Sequence, residues 1–412
     1  MIPKSAIPYP NARILCLRLK IKIRLGETIA GPARLQGAAE SVPWYLWCMA
    51  AAATAASIGS YWDISWHRSI GTDSFRTPSH LIIYLCGILA AIACGYQIFT
   101  NTFRKSTYPK GTTVRMWGFR GPTGILMAAW GCVAIFTSVP FGNWWSDAYG
   151  LDVKIMSPPH VLLIAGLLAI QMGALVLLMA HVNRAEGDQP PMLIAMCLYV
   201  GSMILIMFMV TITEFIFRPY MHQPVMYRIV SLAAPAIMAG LARAAARNWA
   251  ATFVAAGYSV FYLSMLWILP LFPARPRLGP VFTNVNHMIP LEFPLLLIVP
   301  AIILDLLYLK IKRLNIWLLG LITGAVFLAV FMPAQWQFAS FLQSPEARNW
   351  FFGAHYFDFK TYPDSLYALH KFIGQGTLDR EFDKGVSIAL ICAIVGAWAG
   401  LAWGDWVRRI RR

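Results

Sequence analysis

The 412-residue sequence predicts an all-α fold, a polytopic transmembrane helix bundle of about ten spans. Three observations predict it. First, 58% of the residues are apolar and only 13% charged, where soluble chains run near 45–50% and about 25%; the mean hydropathy is +0.59. Second, apolar runs of roughly 20 residues recur, the length that a hydrocarbon core about 30 Å thick requires of a helix. Third, the basic residues gather at the chain ends and in alternate connections, the charge asymmetry of a membrane protein. Together these exclude a soluble globular enzyme and a disordered chain. They also exclude a nucleic-acid binder, because the net charge of +16 is distributed as topology signals.

The ten predicted spans are 43–62, 80–100, 121–142, 160–182, 191–215, 226–246, 249–270, 291–309, 314–334 and 385–404. The connection at 101–120 carries Arg104, Lys105, Lys110, Arg115 and Arg120 without an acid. Lys310, Lys312 and Arg313 mark another turn, and Arg243 and Arg247 a third. The chain ends in Arg408, Arg409, Arg411 and Arg412, and residues 1–42 hold seven basic and two acidic groups. Ten crossings put all of these on one side. The expectation is an inner (cytoplasmic) membrane protein with both termini cytoplasmic and lipid as its first partner.

Five regions follow: a basic leader (1–42), a four-helix unit (43–185), further spans (186–334), an aromatic outer loop (335–384), and a last span with a basic tail (385–412). The leader has no apolar core or cleavage site of a secretory signal. Its alternating stretch 17–25, LRLKIKIRL, fits a surface-lying amphipathic segment, an unstructured leader or a misassigned start codon. The seven cysteines form no CxxC pair, and all but Cys16 fall in apolar runs, so they read as packing residues.

The even-numbered spans begin near a histidine: His80, His160, His222 and His287. Superposing His80 on His160 also places Asp63 on Asn143 and His67 on Asp147. This reads as a duplicated helix–loop–helix unit with two degenerate later copies. For His222 and His287 the alternative is ordinary polar chemistry at a helix start.

In the first unit, Asp63 and His67 are four residues apart. If the first helix continues past residue 62 they share one face. His80 opens the next helix, where Pro78 fits the helix start, and a tight loop brings it back to the pair. One carboxylate and two imidazoles suit copper, iron or zinc and leave coordination positions open. Asp73 and Trp66 are expected as outer partners of these ligands.

The stretch Asp63-x2-Trp66-His67-x2-Ile70-x2-Asp73-x-Phe75-x-Thr77-Pro78-Ser79-His80 resembles the C subunit of copper membrane monooxygenases, the particulate methane and ammonia monooxygenase family. The resemblance covers roughly residues 43–185. It implies that Asp63, His67 and His80 bind a metal ion, with copper as the cofactor. It also implies a second site at Asn143, Asp147 and His160. There the family carries histidine where this chain has Asp147, a change that makes the donor set harder. Other monooxygenase-type subunits, in a homo- or hetero-oligomer, are the partners the family implies, and oxidation of a small apolar or ammonia-like substrate is the implied activity.

Two alternatives stay open on the residues alone. One is a non-catalytic metal-binding or copper-handling membrane protein. The other is a transporter, which requires acids near the bilayer midplane. Glu214 with Arg218 at i+4 reads as a local ion pair or a functional acid. Asp305 reads as an anchor beside Lys310 and Lys312, and His181 as a helix-end cation. The loop at 335–384 is aromatic (Trp336, Trp350, Phe351, Phe352, Tyr356, Phe357, Phe359), with His355, Asp358 and His370, and is expected to cap the outer face. No P-loop, GxGxxG, GxSxG or CxxCH motif occurs.

Overall fold

Each predicted crossing contains a helix in the computed structural model, which describes residues 42–71, 73–104, 111–150, 156–185, 190–277, 286–311, 314–354 and 381–411. The helices are α1 (Trp44–Ser69), α2 (Pro78–Phe103), α3 (Thr123–Tyr149), α4 (Pro158–Val182), α5 (Pro191–Thr211), α6 (Pro224–Ala245), α7 (Ala250–Ile268), α8 (Ile298–Lys310), α9 (Ile316–Gln343) and α10 (Phe382–Val407). A two-stranded antiparallel hairpin (β1, Val114–Met116; β2, Phe119–Gly121) joins α2 to α3. Val42–Arg412 form one compact unit. The leader up to residue 41, Lys105, Lys110, Lys312, Arg313, Arg412 and the His355–His370 part of the aromatic loop lie outside the described residues.

Eight helices, α2 to α7 with α9 and α10, are long and apolar enough to cross a bilayer. The chain is an integral membrane protein. Four of these helices, α2, α4, α5 and α6, start with proline in the first turn, where its missing N–H has no intrahelical partner to lose. α1 has the length to cross, but alanine, serine and aromatic residues dilute its hydropathy, and half of it is buried.

The expected span at 291–309 is only partly helical. α8 has 13 residues, about 20 Å at 1.5 Å per residue. The chain before it, 286–297, runs without helix although most of it is buried. Pro290 and Pro294 account for the interruption, since each lacks a donor and biases its predecessor away from helix. Backbone at this depth needs partners from the protein, and side chains supply them. The Ile289 N–H donates to Ser69 Oγ (2.7 Å), Leu291 N–H to the Tyr61 hydroxyl (3.1 Å), Leu295 N–H to the Tyr258 hydroxyl (3.0 Å) and Leu296 N–H to Gln335 Oε1 (2.9 Å). Ser65 donates to the Ile289 carbonyl and Arg68 to that of Pro290.

Other boundaries also shift. α5 ends at Thr211 and a single 3-10 turn, Thr213–Phe215, follows it. α9 continues to Gln343, so Trp336, expected in the outer loop, is helical. Arg218 does not pair locally with Glu214. It is 1% exposed and faces Glu292 (Nε to Oε2, 3.6 Å), which Arg68 also approaches (3.4 Å). Asp305 is no surface anchor: its carboxylate accepts from Thr252 N–H (2.7 Å), Thr252 Oγ1 (2.7 Å) and Ala251 N–H (3.4 Å) at the start of α7. His222 bonds the Trp336 carbonyl and Ser340 Oγ (3.1 and 3.0 Å), which is helix-end chemistry.

Small residues set the closest helix pairs. Gly124 and Gly131 of α3 lie against Gly173 and Gly166 of α4. Gly396, Gly400 and Gly404, four apart on α10, lie against the backbones of Leu232, Ala236 and Gly240 on α6. Without a hydrophobic gradient between helix and lipid, such close backbone approach is what makes association favourable.

Two stability outcomes are expected. A methyl group at Gly400 would collide with the Ala236 carbonyl, so Gly400→Ala should cost about 1–3 kcal/mol. Gly95→Ala, where nothing lies within 4 Å, should be neutral or stabilising; thermal unfolding of the two purified variants compares them. Tyr61→Phe strands the buried Leu291 N–H and should cost about 1–3 kcal/mol, with faster amide exchange around 289–292 as the local signature.

Candidate metal centre

α1 runs seven residues beyond its predicted end. Asp63 and His67 therefore stand one turn apart on one face. Gly71 then turns the chain at φ +91°, a conformation open to glycine and strained for other residues. The loop next offers Asp73. It closes in a turn where Ser74 N–H donates to Thr77 Oγ1 (2.7 Å) and Thr77 N–H to the Ser74 carbonyl (3.0 Å). Pro78 starts α2 and brings in Ser79 and His80.

The structure brings four of the sequence-predicted residues together. His80 Nε2 lies 3.1 Å from Asp63 Oδ1 and 3.2 Å from Asp73 Oδ2. His67 Nε2 lies 3.4 Å from Asp73 Oδ2 and 3.8 Å from Asp63 Oδ2. One donor atom from each of Asp63, His67 and Asp73 fits within a mutual 4.8 Å, a spacing that can hold a metal ion. His80 closes the ring from the α2 side. Its Nδ1 donates to the Ser74 carbonyl (2.8 Å), which turns Nε2 toward the carboxylates. Ser79 donates to Asp63 Oδ1 (2.8 Å). Asp73, expected as an outer partner, is thus a member of the cluster in direct reach of both imidazoles. Trp66 is half-buried and packs on the hydrophobic core, and the Tyr84 ring lies beside His80 instead (6.2 Å between centroids), with Phe75 tilted against it (5.0 Å).

The electrostatics follow from this geometry. Hydrogen bonds from His67 and then His80 hold the Asp73 carboxyl far below the usual carboxylate range. Burial disfavours charge on His67, but the Asp73 hydrogen bond and the two carboxylate charges outweigh it and raise its pKa.

A cavity of about 290 Å³ opens directly beneath the cluster. Asp63, His67 and Arg68 line one side, and Ile83, Leu163, Ile164 and Leu167 make much of its wall. His160 and Glu214 also reach it. Sequence reasoning missed the cavity and Glu214's place in it, because its walls come from α1, α2, α4 and α5 together.

Of the second predicted set, only His160 lies at this cavity, with Ser157 Oγ 2.9 Å from its Nδ1. Asn143 and Asp147 are exposed on the last turns of α3. No described contact joins either of them to His160.

The fold and the cluster define a polytopic membrane protein with a two-carboxylate, two-imidazole group at one end of its bundle. Comparisons with protein-family models, curated proteins and solved structures found no match to the chain.

A pH dependence follows for metal-free protein. The lowered Asp73 contributes stability above about pH 4 that is lost as pH falls through its folded value. The raised His67 contributes stability below about pH 6.5 that is lost as pH rises through its folded value. Asp73→Asn should therefore destabilise chelator-treated protein at pH 6, by about 0.5–1.5 kcal/mol for a charge-assisted bond partly screened by water, and less at pH 10. Thermal unfolding at both pH values measures the difference.

Proposed function

We propose that this is a copper-binding integral membrane protein related to the membrane monooxygenase C subunit, with Asp63, His67, Asp73 and His80 as the ligand group. The observation that carries the reading is the convergence of these four side chains from two helices and their loop on one point. The donor set fits such an ion: two carboxylates offset its charge, and the imidazoles are ordinary ligands for it. The second carboxylate makes the set harder than one carboxylate with two imidazoles, so iron and zinc compete with copper for it.

When bound, copper would supply redox chemistry at an open coordination position. The chain's own residues do the rest. Ser79 fixes the Asp63 carboxylate, and the Ser74 carbonyl fixes the His80 ring. The apolar cavity below holds a small substrate away from water. On this reading the chain oxidises a small apolar or ammonia-like substrate together with other monooxygenase-type subunits. The described basic residues Arg104, Arg115, Arg120, Arg243, Arg247, Lys310, Arg408, Arg409 and Arg411 belong to the ends of the helices opposite the cluster. That supports cytoplasmic termini and a periplasmic or outer cluster in the inner membrane.

A second reading is metal handling without catalysis. The exposed Asn143 and Asp147, which form no described cluster with His160, favour it.

Elemental analysis of purified protein, covering copper, iron and zinc, tests the site. The expected result is about one ion per chain, reduced at least tenfold by His67→Ala and by Asp63→Ala and unchanged by Asp147→Ala. Equal metal content in all four proteins overturns the proposal. Reductant-driven oxygen consumption by the metal-loaded protein separates the catalytic reading from the handling one.

A further inference from the structure

A second cavity, of about 210 Å³, opens at the end of the bundle opposite the cluster. The C-terminal turns of α6, α8 and α10 and the first turns of α9 surround it. Leu309, Leu319, Leu401 and Ile311 form its apolar side, and Arg243, Arg247 and Arg408 its polar side. The three arginines are not equivalent. Arg243 is engaged by Asp405 through two bonds (2.7 and 3.2 Å). Arg247 and Arg408 are exposed, and neither makes an ion pair among the described residues. Asp305 also lines the cavity, but its oxygens are taken by the start of α7. Two guanidinium groups therefore stand uncommitted above an apolar wall.

The surroundings place this wall at the lipid boundary. Trp249, just before α7, is 40% exposed, and Trp406, two residues before Arg408, is 50% exposed. Tryptophan favours the headgroup level. Leu309 is 39% exposed and offers a surface for a chain rather than for water. Guanidinium groups recognise phosphate by paired, charge-assisted hydrogen bonds, and basic pockets between transmembrane helices take anionic headgroups. A soluble anion would use the arginines but gain nothing from the leucines.

We propose that this cavity binds the phosphate headgroup of an anionic phospholipid, held by Arg247 and Arg408, with an acyl chain lying along Leu309. The site is independent of the metal reading at the other end.

The test titrates phosphatidylglycerol into full-length protein held in phosphatidylcholine nanodiscs or neutral detergent and follows the melting temperature. A saturable rise is expected, since a ligand of the folded state stabilises it. The double variant Arg247→Gln/Arg408→Gln should weaken the half-point at least about tenfold, and Arg408→Gln alone at least about threefold. Arg409→Gln/Arg411→Gln removes the same charge outside the cavity and should change it less than about twofold. Equal weakening by both double variants would mean diffuse attraction and overturn the site, as would equal stabilisation by phosphatidylcholine. Inorganic phosphate reproducing the rise at millimolar concentration would assign the arginines to a soluble anion and overturn the lipid. These side chains are exposed, and monodisperse elution of each variant confirms that it folds.

Discussion

The last two turns of α1 must satisfy two neighbours on two faces. Tyr61, Ser65 and Ser69, spaced four apart, bond the unwound backbone at 289–291. Asp63 and His67, also four apart, face the carboxylate–imidazole cluster and its cavity. Each buried donor or acceptor left without a partner would cost about 1–3 kcal/mol, so the first set fixes the rotation of α1 about its own axis. That rotation aims the second set. Arg68 adds a link, reaching the Pro290 carbonyl and Glu292 while lying over the Phe217 ring at 5.2 Å. The precision of the candidate centre thus rests on a non-helical segment from the far half of the sequence.

The same segment carries a buried acid. Glu292 is 6% exposed and sits between Arg68 and Arg218. An unpaired carboxylate there would be strongly disfavoured, and two guanidinium groups from different elements lie against it. This explains why Arg218 is held at a depth where a cation alone would not remain.

Much of the fold was legible because a bilayer demands long apolar runs, and each of the ten runs contains a helix. Hydropathy misjudged α8 because Pro290 and Pro294 interrupt an apolar run without lowering its apolarity. The partners that stabilise the interruption, Tyr61, Tyr258 and Gln335, lie 230, 37 and 39 residues away from the amides they accept. In the candidate centre, the i, i+4 spacing of Asp63 and His67 made their shared face readable. The place of Asp73 was not, since it depends on the turn at Gly71. The ion pair of Arg218 was misread because its partner lies 74 positions downstream rather than four upstream.

The glycine seam between α6 and α10 bears on how the protein is made. Arg243 and Asp405, which clasp one end of that seam, are 162 residues apart in sequence. During synthesis α6 enters the membrane long before α10 leaves the ribosome. Its small-residue face has only lipid, or an insertion chaperone, against it until then. Assembly is therefore a late docking event, and the interval before it is when the nascent chain is most open to quality-control proteolysis.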